Sequence, residues 1–225
     1  MTDVPTDILA IDGPAGSGKS TLAKRLAKRL DFAFLDSGAM YRAATWHAMH
    51  EGLDMTDKDA LAESTDSMQL AMSDDDGILT VSVDGQDVTQ AIRTPEVTNA
   101  IKALDGIPAV RDTMIVLQRQ IGNVRPTVAE GRDMGTVVFP NARWKIFLEA
   151  SLKERTRRRA EELTQKNVHF DPEQLEADIH ARDENDRNRD IAPLKPADDA
   201  WILDTSTLTL DEVEAAIVDY VEENQ

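Results

Sequence analysis

Between Gly13 and Ser20 the chain reads Gly13-Pro14-Ala15-Gly16-Ser17-Gly18-Lys19-Ser20, with Thr21 next. This spacing, Gly-x-x-x-x-Gly-Lys-Ser, is a phosphate-cradling pattern. Its glycines let the backbone turn so that successive N–H groups face one concavity. A helix starting at the loop adds free amide donors and partial positive charge. Lys19 can reach β- and γ-phosphates, and the Ser20 hydroxyl can ligate Mg²⁺. The chemistry implied is the binding of a nucleoside triphosphate with Mg²⁺. The plainer alternative, a glycine-rich turn that merely starts a helix, leaves the lysine and hydroxyl unexplained.

Four further segments carry groups that suit an anionic acceptor. Asp36-Ser37-Gly38-Ala39-Met40-Tyr41-Arg42 offers a hydroxyl, a phenol and a cation, although Ser37 could equally be a helix cap and Tyr41 a packing residue. Glu130-Gly131-Arg132-Asp133 offers a donor and an acceptor side by side for a polar base edge, and Glu130 could hold Mg²⁺ through water. An Arg132–Asp133 ion pair that fixes a turn is the competing reading. Arg155, Arg157, Arg158 and Arg159 form a basic run with Glu161 and Glu162 behind it. Arg182, Asp183, Asp186, Arg187 and Arg189 form a second charged segment, in which helical spacing puts Arg182, Asp186 and Arg189 on one face. Guanidinium groups bind phosphate bidentately and can close over a transferred phosphoryl group. The alternative for both segments is a solvated helix with weak surface pairs. His47, His50, His169 and His180 lack the carboxylate company of a metal site and are expected at the surface or in packing.

The elements that must position these groups follow from hydrophobic patterning. Ile8 to Ile11 is a short apolar run of the buried parallel-strand type. Phe32–Leu35, Thr127–Ala129, Lys145–Leu148 and Trp201–Leu203 repeat it. Leu22, Ala23, Leu26, Ala27 and Leu30 mark a helix after the glycine loop, with Lys24, Arg25, Lys28 and Arg29 on its other face. Thr209-Leu210-Asp211-Glu212 is a capping-box pattern opening a last helix to about Val221. Strands alternating with helices imply an α/β fold with a mainly parallel sheet. Loops at the carboxyl ends of such strands are where ligands bind. Leu79, Val81 and Val83 alternate with polar residues before Asp84-Gly85, a hairpin signal. With a second pair, Asp76-Gly77, and a third strand at Gln69–Met72, residues 66–92 read as a small antiparallel insertion.

Composition narrows the function. Among 225 residues, 25 are Lys or Arg and 42 are Asp or Glu, a net charge of −17 that disfavours binding to nucleic acid or anionic membrane. With no cysteine there is no disulfide, thiolate metal site or cysteine nucleophile. No apolar run approaches the ~20 residues needed to span a bilayer. The opening MTDVPTD is polar and acidic without a signal-peptide pattern, so a cytoplasmic location is expected. No GTPase-type Asn-Lys-x-Asp occurs, which leaves a small kinase as the leading class. A kinase for another small acceptor, or an ATP-binding regulator without turnover, are the rival readings.

The stretches IDGPAGSGKST, LDSGAMYR, IRTPEV, PAVRD, EGRDMGTVVFP, RDENDRNRDIAPLKPADDA and LDTSTLTLDEV together resemble the bacterial cytidylate kinases, a branch of the nucleoside monophosphate kinases. The likeness runs over essentially the whole chain. It implies a P-loop kinase with a five-stranded parallel sheet flanked by helices, a small antiparallel β insertion and a helical lid. The corresponding division is 1–37, 111–151 and 191–225 for the core, 38–110 for the monophosphate-binding region and 152–190 for the lid. It also implies ATP and CMP or dCMP as substrates, Mg²⁺ as cofactor and a monomer. By position, Ser37, Arg42, Arg111, Arg132, Asp133, Arg182 and Asp186 would contact the monophosphate, and Tyr41 would pack against it. Residues Gly13 to Thr21 and Arg158 would serve ATP. Lys19, Arg132, Arg182 and Arg189 would act on the transferred group. One departure stands out: the family's base-reading serine shortly before Val110-Arg111 corresponds here to Lys102.

Overall fold

The computed structural model describes residues 7–75, 78–165 and 167–224. Five parallel strands form its main sheet: β1 (Ile8–Asp12), β2 (Ala33–Asp36), β6 (Thr127–Gly131), β7 (Trp144–Glu149) and β8 (Trp201–Asp204), in the order β2-β6-β1-β7-β8. β1 lies at the centre, its five residues all buried, paired with β6 on one side and β7 on the other. A strand buried on both faces has no polar side, which is why its sequence is a continuous apolar run rather than an alternation. All five expected strands are present. Most run a residue or two further toward their carboxyl ends, and this brings Asp12, Asp36 and Glu130 inside strands.

The helices of the core are α1 (Lys19–Leu30), α5 (Pro108–Gly122) and α8 (Leu210–Glu223). Leu22, Leu26, Val213 and Ile217 are buried together with Leu9, Ile11 and Val128 in one core. On the polar face of α1, Arg25 pairs with both Asp211 and Glu214 of α8. The capping box at Thr209 and Glu212 is formed as expected.

Between β2 and α5 lie α2 (Ser37–His50), α3 (Lys58–Ser67), the antiparallel sheet β3 (Leu70–Asp75), β4 (Ile78–Val83) and β5 (Gln86–Asp87), and the short α4 (Pro95–Ala100). The sheet falls within the antiparallel insertion expected at 66–92. Leu79, Val81 and Val83 are buried, as the alternation requires. Asp84 and Gly85 both take positive φ, 50° and 80°, the conformation of a two-residue hairpin turn. The Asp76-Gly77 pair and residues 1–6 lie outside the described residues. After β7 come α6 (Leu152–Gln165) and α7 (Pro172–Arg187), which pack on one another. No helix among the described residues is long and apolar enough to cross a membrane.

Candidate active site

β1 ends at Asp12, and the glycine loop follows at the carboxyl edge of the sheet. A Cβ on Gly13 would stand 2.4 Å from the backbone oxygen of Leu148, so only glycine lets the loop leave β1 so close to β7. Gly16 and Gly18 have φ of 74° and 89°, and Gly18 precedes the first turn of α1. The backbone is left-handed there, where a side chain would be strained. Pro14, Ala15 and Ser17 are buried, whereas Gly16, Ser20 and Thr21 are exposed. Lys19 is only 5% exposed, and its Nζ donates to Pro14 O at 2.8 Å and to Ser17 Oγ at 3.3 Å. Burial, reinforced by the nearby Arg132 cation, lowers its pKa to about 7. Ser20 Oγ donates to Glu130 Oε1 at 2.5 Å. Burial raises the Glu130 pKa, and the Asp36 carboxylate adds to the rise. A hydroxyl and a buried carboxylate in contact are hard oxygen donors, the set Mg²⁺ takes when phosphates and water supply the rest of its shell.

The arginines of α6 divide by helix face. Arg155, 4% exposed, pairs with Asp183 at 2.5 Å and donates to Ala15 O at 2.9 Å. Asp183 in turn accepts from the Ala15 amide at 3.2 Å. One turn on, Arg158 donates to Ser17 O and to both Thr205 Oγ1 and Thr205 O. These two arginines, three residues apart, fasten α6 and α7 to the glycine loop. Arg157 and Arg159 face outward and pair with Glu154, Glu161 and Glu162. The basic run is therefore half site and half solvated surface.

The acceptor-side groups gather at the same edge of the sheet. Ser37 is the first residue of α2; the cap is Asp36, whose carboxylate accepts from the Ala39 amide at 2.7 Å, so Ser37 is not the cap. Ser37 is buried, with its hydroxyl close against Gly131. Tyr41 is partly buried, and burial pushes its phenol pKa up. Arg42 lies 3.3 Å from Asp36 Oδ2. Arg132 and Asp133 turn apart instead of pairing with each other. Asp133 receives Arg111 in a buried ion pair, while Arg132 Nε donates to Asp186 Oδ2 at 2.7 Å. Asp186 Oδ1 also receives Arg189 at 2.5 Å. Burial raises the pKa of Asp133; at Asp186 the Arg132 and Arg189 cations outweigh burial and lower it. Arg189 lies two residues beyond the end of α7 and so does not share a helical face with Arg182 and Asp186, yet it still meets Asp186. Arg182 reaches solvent but stands deep among protein atoms, and this crowding with the Arg132 cation lowers its pKa to about 10. The Nε atoms of Arg42 and Arg111 are buried without a hydrogen-bond partner among the described residues. Lys102 is exposed on the 3-10 turn Ile101–Ala103.

Two site groups carried no sequence signal of their own. Asp12 is buried, and its carboxylate accepts from the amides of Met134 and Gly135 at 2.9 and 2.8 Å. It thereby anchors a π-helix, Met134–Val138, directly behind Arg132-Asp133; burial raises its pKa to about 7. A charged residue ending an apolar strand is no signal by itself, since its role comes from amides that the fold brings to it. Asp105, on the loop after the 3-10 turn, pairs with Arg189 at 2.6 Å. The expectation for the histidines holds in part. His47 is buried, but it does have carboxylate company, with Glu51 and Asp84 each 3.5 Å away. Among the described residues no cluster of three or more His, Cys, Asp or Glu is arranged for a metal.

Comparison with known proteins identifies the family. The cytidylate kinase family model matches residues 9–223. The chain is 42% identical over 217 residues to a protein named Cytidylate kinase from Vibrio cholerae, covering 96% of each chain. It is 45% identical over 215 residues to another of that name from an Exiguobacterium species, again covering 96% of each. An uncharacterized protein from Eubacterium ventriosum shares the fold at 12% identity, with a TM-score of 0.53 over 96% of this chain and 98% of that one. The glycine loop, the arginine–aspartate cluster and the full-length match converge, and the chain belongs to the cytidylate kinase family.

Proposed function

We propose that this protein transfers the γ-phosphoryl group of ATP to CMP or dCMP, giving ADP and the nucleoside diphosphate. The observation that carries the reading is the pair of unpartnered buried donors, Arg42 Nε and Arg111 Nε, at the same sheet edge as the Lys19 loop. Buried donors without partners are rare, and a phosphate oxygen satisfies them.

Residues Gly13 to Thr21 bind the donor phosphates, with Lys19 on the β/γ oxygens and Arg158 closing from the lid. Ser20, with Glu130 through water, would hold Mg²⁺, which would supply charge neutralisation to the donor phosphates. Ser37, Arg42 and Arg111 hold the acceptor phosphate, and Tyr41 packs against the nucleotide. Arg132, Asp133, Arg182 and Asp186 orient the acceptor nucleotide. Arg132, Arg182, Arg189 and Lys19 neutralise charge spreading over the transferred group. The acceptor phosphate has a second pKa of about 6, so it attacks as an anion near neutral pH without a general base. Catalysis is positional and electrostatic, an in-line transfer. Stretch 152–190 acts as the lid, 38–110 as the acceptor region, and the remainder as the core. The enzyme works as a cytoplasmic monomer.

The deciding experiment follows ADP formation from ATP and Mg²⁺ with CMP, dCMP, UMP, AMP, GMP and shikimate. Preference for CMP and dCMP is expected. A stronger turnover of another acceptor overturns the base-reading assignment, and binding of ATP with no turnover overturns the kinase.

A further inference from the structure

Six charged residues of the site form a closed circuit. Asp133 pairs with Arg111. Arg111 Nη1 donates to the backbone oxygen of Asp105 at 3.4 Å. The Asp105 carboxylate pairs with Arg189, 84 residues away, and Arg189 pairs with Asp186. Asp186 pairs with Arg132, the chain neighbour of Asp133. Every residue of the circuit but one is already used by the site reading. The exception is Asp105.

We propose that Asp105 is a positioning residue that draws Arg189 to the acceptor side of the cleft and joins the acceptor region to the end of the lid. Arg189 lies past the C-terminal end of α7, so helical hydrogen bonding does not fix its backbone. Its side chain takes its direction from two carboxylates, which both accept from its Nη2. Asp186 divides its oxygens between Arg132 and Arg189, whereas the Asp105 carboxylate meets Arg189 with its Oδ2. Asp105 is itself well placed to hold a direction. Its amide donates to Ile101 O at 3.0 Å, and the preceding Leu104 is fully buried. An arginine held a fraction of an ångström from where charge develops gives up much of its effect, because positioning errors near 1 Å cost about a hundredfold in rate.

The inference rests on the reading of Arg189 as a group that approaches the transferred phosphoryl, and the test separates the two. Steady-state kinetics with ATP and CMP are compared for the parent, D105N, D105E, R189A and D105N/R189A, each checked for folding by thermal melting. D105N is expected to lower kcat ten- to a hundredfold while the KM for CMP moves less than threefold. D105E should recover part of the loss. In the R189A background, D105N should change kcat less than twofold, since the two residues act as one unit. A D105N enzyme with kcat within threefold of the parent, beside an impaired R189A, overturns the role of Asp105. An R189A enzyme with parental kcat overturns the reading of Arg189 first. If D105N does not fold, D105E decides: its kcat must fall, and must not fall further in the R189A background.

Discussion

The donor and acceptor sides of the cleft are built in opposite ways. On the donor side one eight-residue stretch supplies the loop, and its lysine bonds to Pro14 and Ser17 only five and two residues away. On the acceptor side three of the pairs join distant stretches: Arg111 meets Asp133, Arg132 meets Asp186, and Asp105 meets Arg189, beside the local pairs Arg42–Asp36 and Arg189–Asp186. A local loop is held by its own backbone, so its functional side chain is structurally dispensable. A site assembled from distant segments uses its functional side chains as its braces. Function and stability are thus separable on one side and joined on the other.

The largest test of that contrast is Lys19→Met. Loss of a charge-stabilising donor should lower kcat about a thousandfold or more, with the melting temperature nearly unchanged. A parallel collapse in melting temperature breaks the comparison. Next is Arg111→Ala, which leaves Asp133 buried and unpaired. It should raise the KM for CMP strongly and cost about 3 kcal/mol or more of stability in urea unfolding. Adding Asp133→Asn should recover much of the stability and none of the CMP affinity. Smaller is Arg158→Ala, which removes the ties to Ser17 and Thr205; the KM for ATP should rise about tenfold through lost positioning, with the KM for CMP unmoved. Arg157→Ala, on the outward face of the same helix, should leave both constants and the melting temperature where they were.

A last, subtle difference concerns protons. Burial and Arg132 hold Lys19 near pKa 7, so at pH 8 it is largely neutral. Donor phosphates favour its charged form and raise that pKa, so binding must take up a proton. Calorimetry of ATP–Mg²⁺ binding at pH 8, in buffers of different ionisation enthalpy, should show fractional proton uptake that fades below pH 6. CMP binding at pH 8 should show almost none, because Arg182, at about 10, is already protonated there.

The same contrast governs what the sequence discloses. Gly13 to Ser20, the apolar run of β1 and the alternation of β4 before Asp84-Gly85 are short-range patterns, and the structure realises each of them. Arg132 and Asp133 mark the limit. Adjacent in the chain and opposite in charge, they invite pairing, but their partners lie 54 and 22 residues away. Nothing periodic encodes such a choice. Asp12 and Asp105 were silent for the same reason, since a lone aspartate acquires its role only from amides or a guanidinium brought to it by the fold. The arginine run 155–159 is visible in the sequence, but only helix geometry shows that Arg155 and Arg158 face the loop while Arg157 and Arg159 do not.

Arg42, Arg111, Arg132 and Arg189 each already touch a carboxylate of this chain. A phosphate that reaches them therefore enters as a substitute for an anion already in place. Association at such a site is an ion exchange within the protein, and few counterions from solution are displaced. The ionic-strength dependence of CMP affinity should accordingly be shallower than a count of its arginines suggests.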